Sequence, residues 1–124
     1  MKTFGGWIAL AMISAGALLY SAPPAKAADM GWPITNRSPY AIEIQFYSRS
    51  RNAVWPPRGQ VWVVQPYGNI SPVLRCSDGE YICYGAWPRG SGTLFWGVGR
   101  GGAQGCSSCC FVCRPGYVGG HTLN

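Results

Sequence analysis

The sequence predicts an all-β fold: a small sandwich or partly open barrel of five to six antiparallel strands with a disulfide-stapled C-terminal segment. Three observations carry this reading. Residues 40–47 alternate, with Tyr40, Ile42, Ile44 and Phe46 on one face and Glu43 and Gln45 on the other, the period-2 signature of a half-buried strand. Short apolar runs rich in Val, Ile and aromatic residues recur between Gly- and Pro-containing turns. No segment from residue 28 to residue 105 carries a helical period.

The elements follow in order. Asn36, Arg37 and Ser38 form a turn, and Pro39, with no amide to give a ladder, marks the start of the strand at 40–47. Residues 48–59 form a loop punctuated by Asn52, Pro56, Pro57 and Gly59. Residues 60–65 are β-rich, 66–69 turn, and 73–76 make a short strand. Asp78-Gly79 is the centre of a two-residue hairpin turn. Residues 81–87 are apolar on both faces, as expected of a central strand covered on both sides. Residues 88–92 turn again, 93–98 make a strand and 99–105 a glycine-rich loop. The one candidate for a short helix is the cysteine run, because positions 106, 109, 110 and 113 share a helical face.

The N-terminus has the layout of a cleavable export signal. Lys2 precedes an uncharged apolar run over 4–20, then Pro23 and Pro24, and Ala25-Lys26-Ala27 supplies the small-x-small cleavage pattern. At 17 residues the run is at the short end for spanning a bilayer, and no later run is long enough, so no transmembrane span is expected after cleavage. Residues 1–27 are therefore read as the signal and 28–124 as a single β domain that is secreted or periplasmic. That part has eight arginines, no lysine and four carboxylates (Asp29, Glu43, Asp78 and Glu80), a net charge of +4. Arginine suits flat, bidentate contact with carboxylate, sulfate or phosphate.

All six cysteines, Cys76, Cys83, Cys106, Cys109, Cys110 and Cys113, lie in the exported part. An even count in a short exported chain reads as a disulfide framework. The C-x-x-C-C-x-x-C run also has the form of a zinc or redox site, but an oxidising compartment removes the thiolates zinc needs. Neither metal nor cofactor is expected. Six cysteines allow 15 pairings. If Asp78-Gly79 centres a hairpin, Cys76 and Cys83 are diagonal neighbours roughly 7–8 Å apart, beyond disulfide reach. Both then face the same way, so each is expected to bond into the 106–113 cluster. The two cysteines left over pair together, and they are not Cys109 with Cys110, whose shared peptide would be strained.

Groups for catalysis are sparse. Asp78 and Glu80 share one turn, Glu43 lies mid-strand, and the one histidine, His121, lies near the C-terminus. Neither a carboxylate pair across a cleft nor a nucleophile–His–acid triad is legible. Gly97-Val98-Gly99-Arg100-Gly101-Gly102 lacks the Lys-Ser/Thr and following helix of a phosphate loop. The chain is therefore read as no enzyme. Aromatics are in excess instead. Trp62 and Trp96, on strands, are expected in the core; Trp32, Trp55 and Trp87, beside prolines, are expected to be partly exposed. Trp55-Pro56-Pro57-Arg58-Gly59 and Trp87-Pro88-Arg89-Gly90 echo each other. Their Pro-Arg-Gly fits positions i+1 to i+3 of a type I turn. Trp55, Arg58, Trp87 and Arg89, with Arg49 and Arg51, are the candidate binding residues: an indole and a guanidinium together can stack on a ring and pair with its anion.

The segments Ile34-Thr35-Asn36-Arg37-Ser38-Pro39-Tyr40 and Tyr81-Ile82-Cys83-Tyr84-Gly85-Ala86-Trp87, with the cysteine cluster, resemble small exported bacterial proteins of unknown function with a cysteine-rich C-terminus. The resemblance implies no activity and no site residues. The expected role is a non-catalytic domain that binds an extracytoplasmic partner such as an anionic glycan or envelope polymer. Alternatives are a purely structural or interaction protein of the envelope, and a secreted inhibitor or toxin. Nucleic acid is not an expected partner, and no feature bears on oligomeric state. The export reading has a direct check: intact mass of protein recovered from the envelope or medium should give Ala28 as the N-terminus, and a full-length chain held in membranes would contradict it.

Overall fold

The computed structural model describes Gly16, residues 26–117 and residues 120–124. The expected export signal lies outside the described residues except for Gly16, Lys26 and Ala27. The fold is all-β. In chain order the strands are β1 (Ala27–Gly31), β2 (Ile34–Asn36), β3 (Ile42–Ser48), β4 (Val54–Trp55), β5 (Trp62–Val64), β6 (Asn69–Ile70), β7 (Val73–Ser77), β8 (Tyr81–Pro88), β9 (Trp96–Gly97), β10 (Cys110–Val112), β11 (Gly116–Tyr117) and β12 (His121–Leu123). Many are only two or three residues long, which is why more strands form than the five or six expected. Among the described residues they make three sheets, mostly antiparallel, that do not close into a barrel. The largest runs β10-β8-β3-β4, with β5 also on β3 and β9 also on β8; the others run β11-β1-β7 and β12-β2-β6.

The β3–β8 ladder is the longest, from Ile42↔Pro88 to Ser48↔Ile82. Alternation sends Ile42, Ile44 and Phe46 to the inner face, where each is fully buried with Ile82 and Ala86. Met30 and Leu74, from the β1–β7 pair, and Trp32, Ile34 and Leu123 complete this core. The expected cover on both faces of β8 is present. On the outer face Cys83, Tyr47 and Val98 form a smaller cluster.

Several expectations are corrected. The cysteine run is not a helix: part of it is β10, whose residues pair Cys110↔Cys83, Phe111↔Ile82 and Val112↔Tyr81. Here sheet pairing and bridges override the shared helical face. The sole helical turn among the described residues is a 3-10 turn at Arg100–Gly102. The Asp78-Gly79 turn exists, with Glu80 N–H donating to Ser77 O at 2.9 Å and Gly79 at φ 87°. It is not a hairpin, because β7 pairs with β1 and β8 with β3 and β10. The turn instead carries the chain from one sheet to the next. The Arg-Gly turns also differ from type I with proline at i+1. Pro57 and Pro88 occupy position i, accepting from Gln60 and Ser91, and Arg58, Gly59 and Gly90 take positive φ.

The disulfides are Cys76–Cys113, Cys83–Cys110 and Cys106–Cys109, and no cysteine is free. The expected scheme holds, although its hairpin premise does not. Cys76 and Cys83 are kept apart by lying in different sheets. Cys113 is further clamped at the turn, donating to Glu80 O at 2.7 Å and accepting from Gly79 N–H at 3.0 Å.

The bridges differ in the loop they close, 37 residues apart for Cys76–Cys113 against 3 for Cys106–Cys109. Loop-closure entropy scales with the logarithm of loop length, giving about 4 kcal/mol for the first and about 2 for the second. Denaturant melts should therefore show the Cys76→Ser/Cys113→Ser pair losing distinctly more stability than Cys106→Ser/Cys109→Ser; equal losses would contradict this ordering.

Candidate functional site

The outer face of β3 presents Glu43, Gln45 and Tyr47, opposite Trp87, Gly85 and Cys83 of β8. The loop after β9 lies on this face. It comes so close that a Cβ on Gly85 would sit 2.1 Å from Gly99 O, so only glycine fits there. Tyr47 Oη accepts from Gly101 N–H at 2.9 Å, and Arg49 donates to Gly102 O at 3.1 Å. The loop thus forms a ridge across the sheet, with a hollow on either side.

The first hollow, about 510 Å3, is lined by Arg49, Arg51 and Arg58 together with Gln45, Tyr47, Asn52 and Gly101. Arg51 is anchored. Its Nε and Nη2 donate to the two carboxylate oxygens of Glu80, whose side chain is only 2% exposed. Ser48 Oγ donates to Glu80 at 2.6 Å and Ser77 N–H at 3.0 Å. Burial works to raise the pKa of Glu80, but these donors outweigh it and hold the carboxyl below its ordinary range. Arg51 also stands 5.6 Å from the centre of the Trp55 ring. Trp55 is half-buried against the core, its indole N–H donating to Arg75 O at 3.0 Å. Arg49 and Arg58 are exposed, and neither forms an ion pair among the described residues.

The second hollow, about 210 Å3, is lined by Trp87, Arg100, Gln104 and the 91–95 loop. Trp87 Nε1 donates to Glu43 Oε2 at 2.7 Å and Arg89 Nε to Oε1 at 3.2 Å. Arg100 lies 3.8 Å from Glu43 and 5.1 Å from the Trp87 ring centre. The Trp87 hydrogen bond, helped by Arg89 and Arg100 and opposed by burial, holds the Glu43 carboxyl below its ordinary range. Leu94 and Phe95 beside this hollow are exposed.

His121 is structural in its contacts. Its Nδ1 accepts from Trp32 Nε1 at 2.9 Å and its Nε2 lies 3.3 Å from Ser108 O, an arrangement that requires the neutral ring with the proton on Nε2. Tyr84, Phe111 and Trp32 surround it. Burial pushes its pKa down, partly opposed by the Ser108 contact. Among the described residues no three His, Cys, Asp or Glu side chains gather as metal ligands.

The structure divides the six expected binding residues into two groups. Arg49, Arg51 and Arg58 share the first hollow, with Trp55 adjoining Arg51, while Trp87 and Arg89 meet at Glu43 beside the second. The expected exposure of Trp32 and Trp87 is corrected: Trp32 is fully buried and Trp87 is 3% exposed. Trp32 fills the core beside Phe46, and Trp87 lies under Arg100. Trp62 and Trp96 pack half-buried against the core. Arg100, Glu43 and Tyr47 were not candidates. The alternation of β3 does align Glu43 with Tyr47, but no sequence signal brings Arg100 onto them. The chain matches no protein-family model, and no curated protein or solved structure is significantly similar to it.

Two measurements test these contacts. The unfolded chain protonates His121 near its ordinary value of about 6.5, whereas the folded chain resists until lower pH. Stability contributed there is present above that value and lost as pH falls below it. The melting temperature should fall between pH 7.5 and 5, above the window of Glu43 and Glu80, and His121→Gln should flatten the fall; a flat wild-type profile would contradict it. Glu80→Ala should cost about 2–3 kcal/mol by orphaning the Ser77 and Ser48 donors. Arg58→Ala should stay within about 0.5 kcal/mol in the same melts.

Proposed function

We propose that this is a non-catalytic, secreted or periplasmic domain that binds the anionic groups of a glycan or envelope polymer. The observation that carries the reading is the convergence of Arg49, Arg51 and Arg58 on one open hollow. Glu80 is buried beneath Arg51, and the exposed Asp78 shares a neighbouring hollow with Arg51 and does not line this one. Arg49, which keeps further donors beside its bond to Gly102 O, and Arg58 form no ion pair among the described residues. Both can bind an external carboxylate, sulfate or phosphate with charge-assisted hydrogen bonds. Three disulfides point to an oxidising environment, and among the described residues no helix is long and apolar enough to cross a membrane. The engagement of both glutamates with arginines, and of His121 with Trp32 and Ser108, supports a binding role over catalysis.

Calorimetric titration with dextran sulfate, polygalacturonate and neutral dextran tests the reading. The anionic polymers should bind, the neutral one should not, and affinity should fall with added salt. The Arg49→Ala/Arg58→Ala variant should lose about tenfold or more in affinity, corresponding to two charge-assisted contacts, with an unchanged melting temperature. Equal binding by this variant, or no binding to either polyanion, would refute the proposal.

A further inference from the structure

We infer that the ligand is a linear polyanion with hydroxyl groups between its charges, held in extended form across the ridge so that both hollows are occupied at once. This rests on the polyanion reading above and specifies the ligand class. The two hollows lie on the same face of the β3–β8 ladder, and the Arg100–Gly101 peptide separates them, Arg100 lining one and Gly101 the other. Arg100 stands on the ridge with its side chain 65% exposed. From Glu43 to Arg49 the sheet runs six residues, a span of roughly 20 Å.

The charge pattern along this span is uneven. At one end stand Arg49, Arg51 and Arg58 with Glu80, Asp78 sharing a neighbouring hollow with Arg51; at the other Arg89 and Arg100 face the carboxylate of Glu43. Each end keeps a positive excess. Glu43 stays ionised, and its side chain is still 19% exposed. A chain with a phosphate on every unit and no free hydroxyl between them, as in a DNA strand, would bring negative charge against it with no donor to offset it. A polysaccharide whose charges are spaced by hydroxyl-bearing units presents donors there instead, and a carboxylate oxygen accepts more than one hydrogen bond. The exposed Phe95 beside the second hollow offers a ring edge or face to the apolar side of a sugar.

Two weak sites joined by one ligand give an affinity that rises with ligand length once the span is reached. The test is a size series of oligogalacturonides, from disaccharide to dodecasaccharide, titrated against the full disulfide-bonded chain, with an oligodeoxynucleotide of matching length as comparison. The long oligomers should bind about tenfold or more tighter than the short ones. Arg89→Ala/Arg100→Ala should abolish that gain and cut the disaccharides bound from two to one, whereas Arg49→Ala/Arg58→Ala should weaken the long oligomers and remove the other disaccharide site. Arg89→Ala alone, at an exposed side chain, should give part of the effect if the double variant is unstable. Affinity independent of length, or a full length gain in the Arg89 and Arg100 variants, would overturn the two-hollow inference while leaving the first hollow as a binding site. Tighter binding of the oligodeoxynucleotide, which lacks hydroxyls between its charges, would overturn that assignment. Absence of binding at all lengths would refute the polyanion reading itself.

Discussion

The pairing of β3 with β8 is the constraint on which the rest of the structure depends, because both faces of that ladder must be kept from water. On the inner face the demand is met by Met30, Trp32 and Leu74 from the first part of the chain and from β7. Among the described residues it is a loop, the glycine-rich one after β9, that lies on the outer face. It fits because Gly85 leaves room for the backbone at Gly99. The same loop brings Arg100 over Trp87 and Gly101 onto Tyr47. The surface proposed to bind ligand is thus the outside of the element that seals the sheet, so packing and recognition share one cause.

The disulfides do for the C-terminal part what long strands do elsewhere. β10, β11 and β12 have two or three residues each, and few ladder bonds hold so short a strand. Cys83–Cys110 fixes the register of β10 on β8, and Cys76–Cys113 ties the next turn of chain to β7 in a different sheet. Glu80 works at the same junction. Its backbone oxygen receives Cys113 N–H while its buried carboxylate receives Ser77 and Arg51, linking the turn that joins two sheets to the arginine hollow.

What was legible in the sequence was local. The alternation at Ile42, Ile44 and Phe46 and the unbroken apolar run of β8 announce buried strands by period alone. That Cys76 and Cys83 each bond into the 106–113 cluster was also legible, though not which partner each takes, and through a hairpin that does not exist; the conclusion survived because any arrangement that turns both toward the cluster gives it. Strands of two or three residues, such as β2, β4 and β6, carry too few positions to show a period. Trp32 and Trp87 were misjudged because a neighbouring proline marks a chain turn and says nothing about what packs over the indole. Of the site, the basic segment at Arg49, Arg51 and Arg58 was visible as neighbours in sequence. Its extension through Arg100 and Glu43 depends on long-range packing that no local pattern encodes.

The parallel partnership of β2 with β12 has a consequence for the order of assembly. Trp32, fully buried, reaches its indole partner His121 across 89 positions of sequence. A chain emerging from its N-terminus meets Phe46 and the β6 and β7 partners of β1 and β2 by its middle, but leaves the Trp32 indole N–H without its native acceptor until nearly all later residues have appeared. Contacts of such separation form late and slowly. Phe111 and His121 reach the Trp32 ring only from the end of the chain, so that ring stays incompletely covered through most of synthesis.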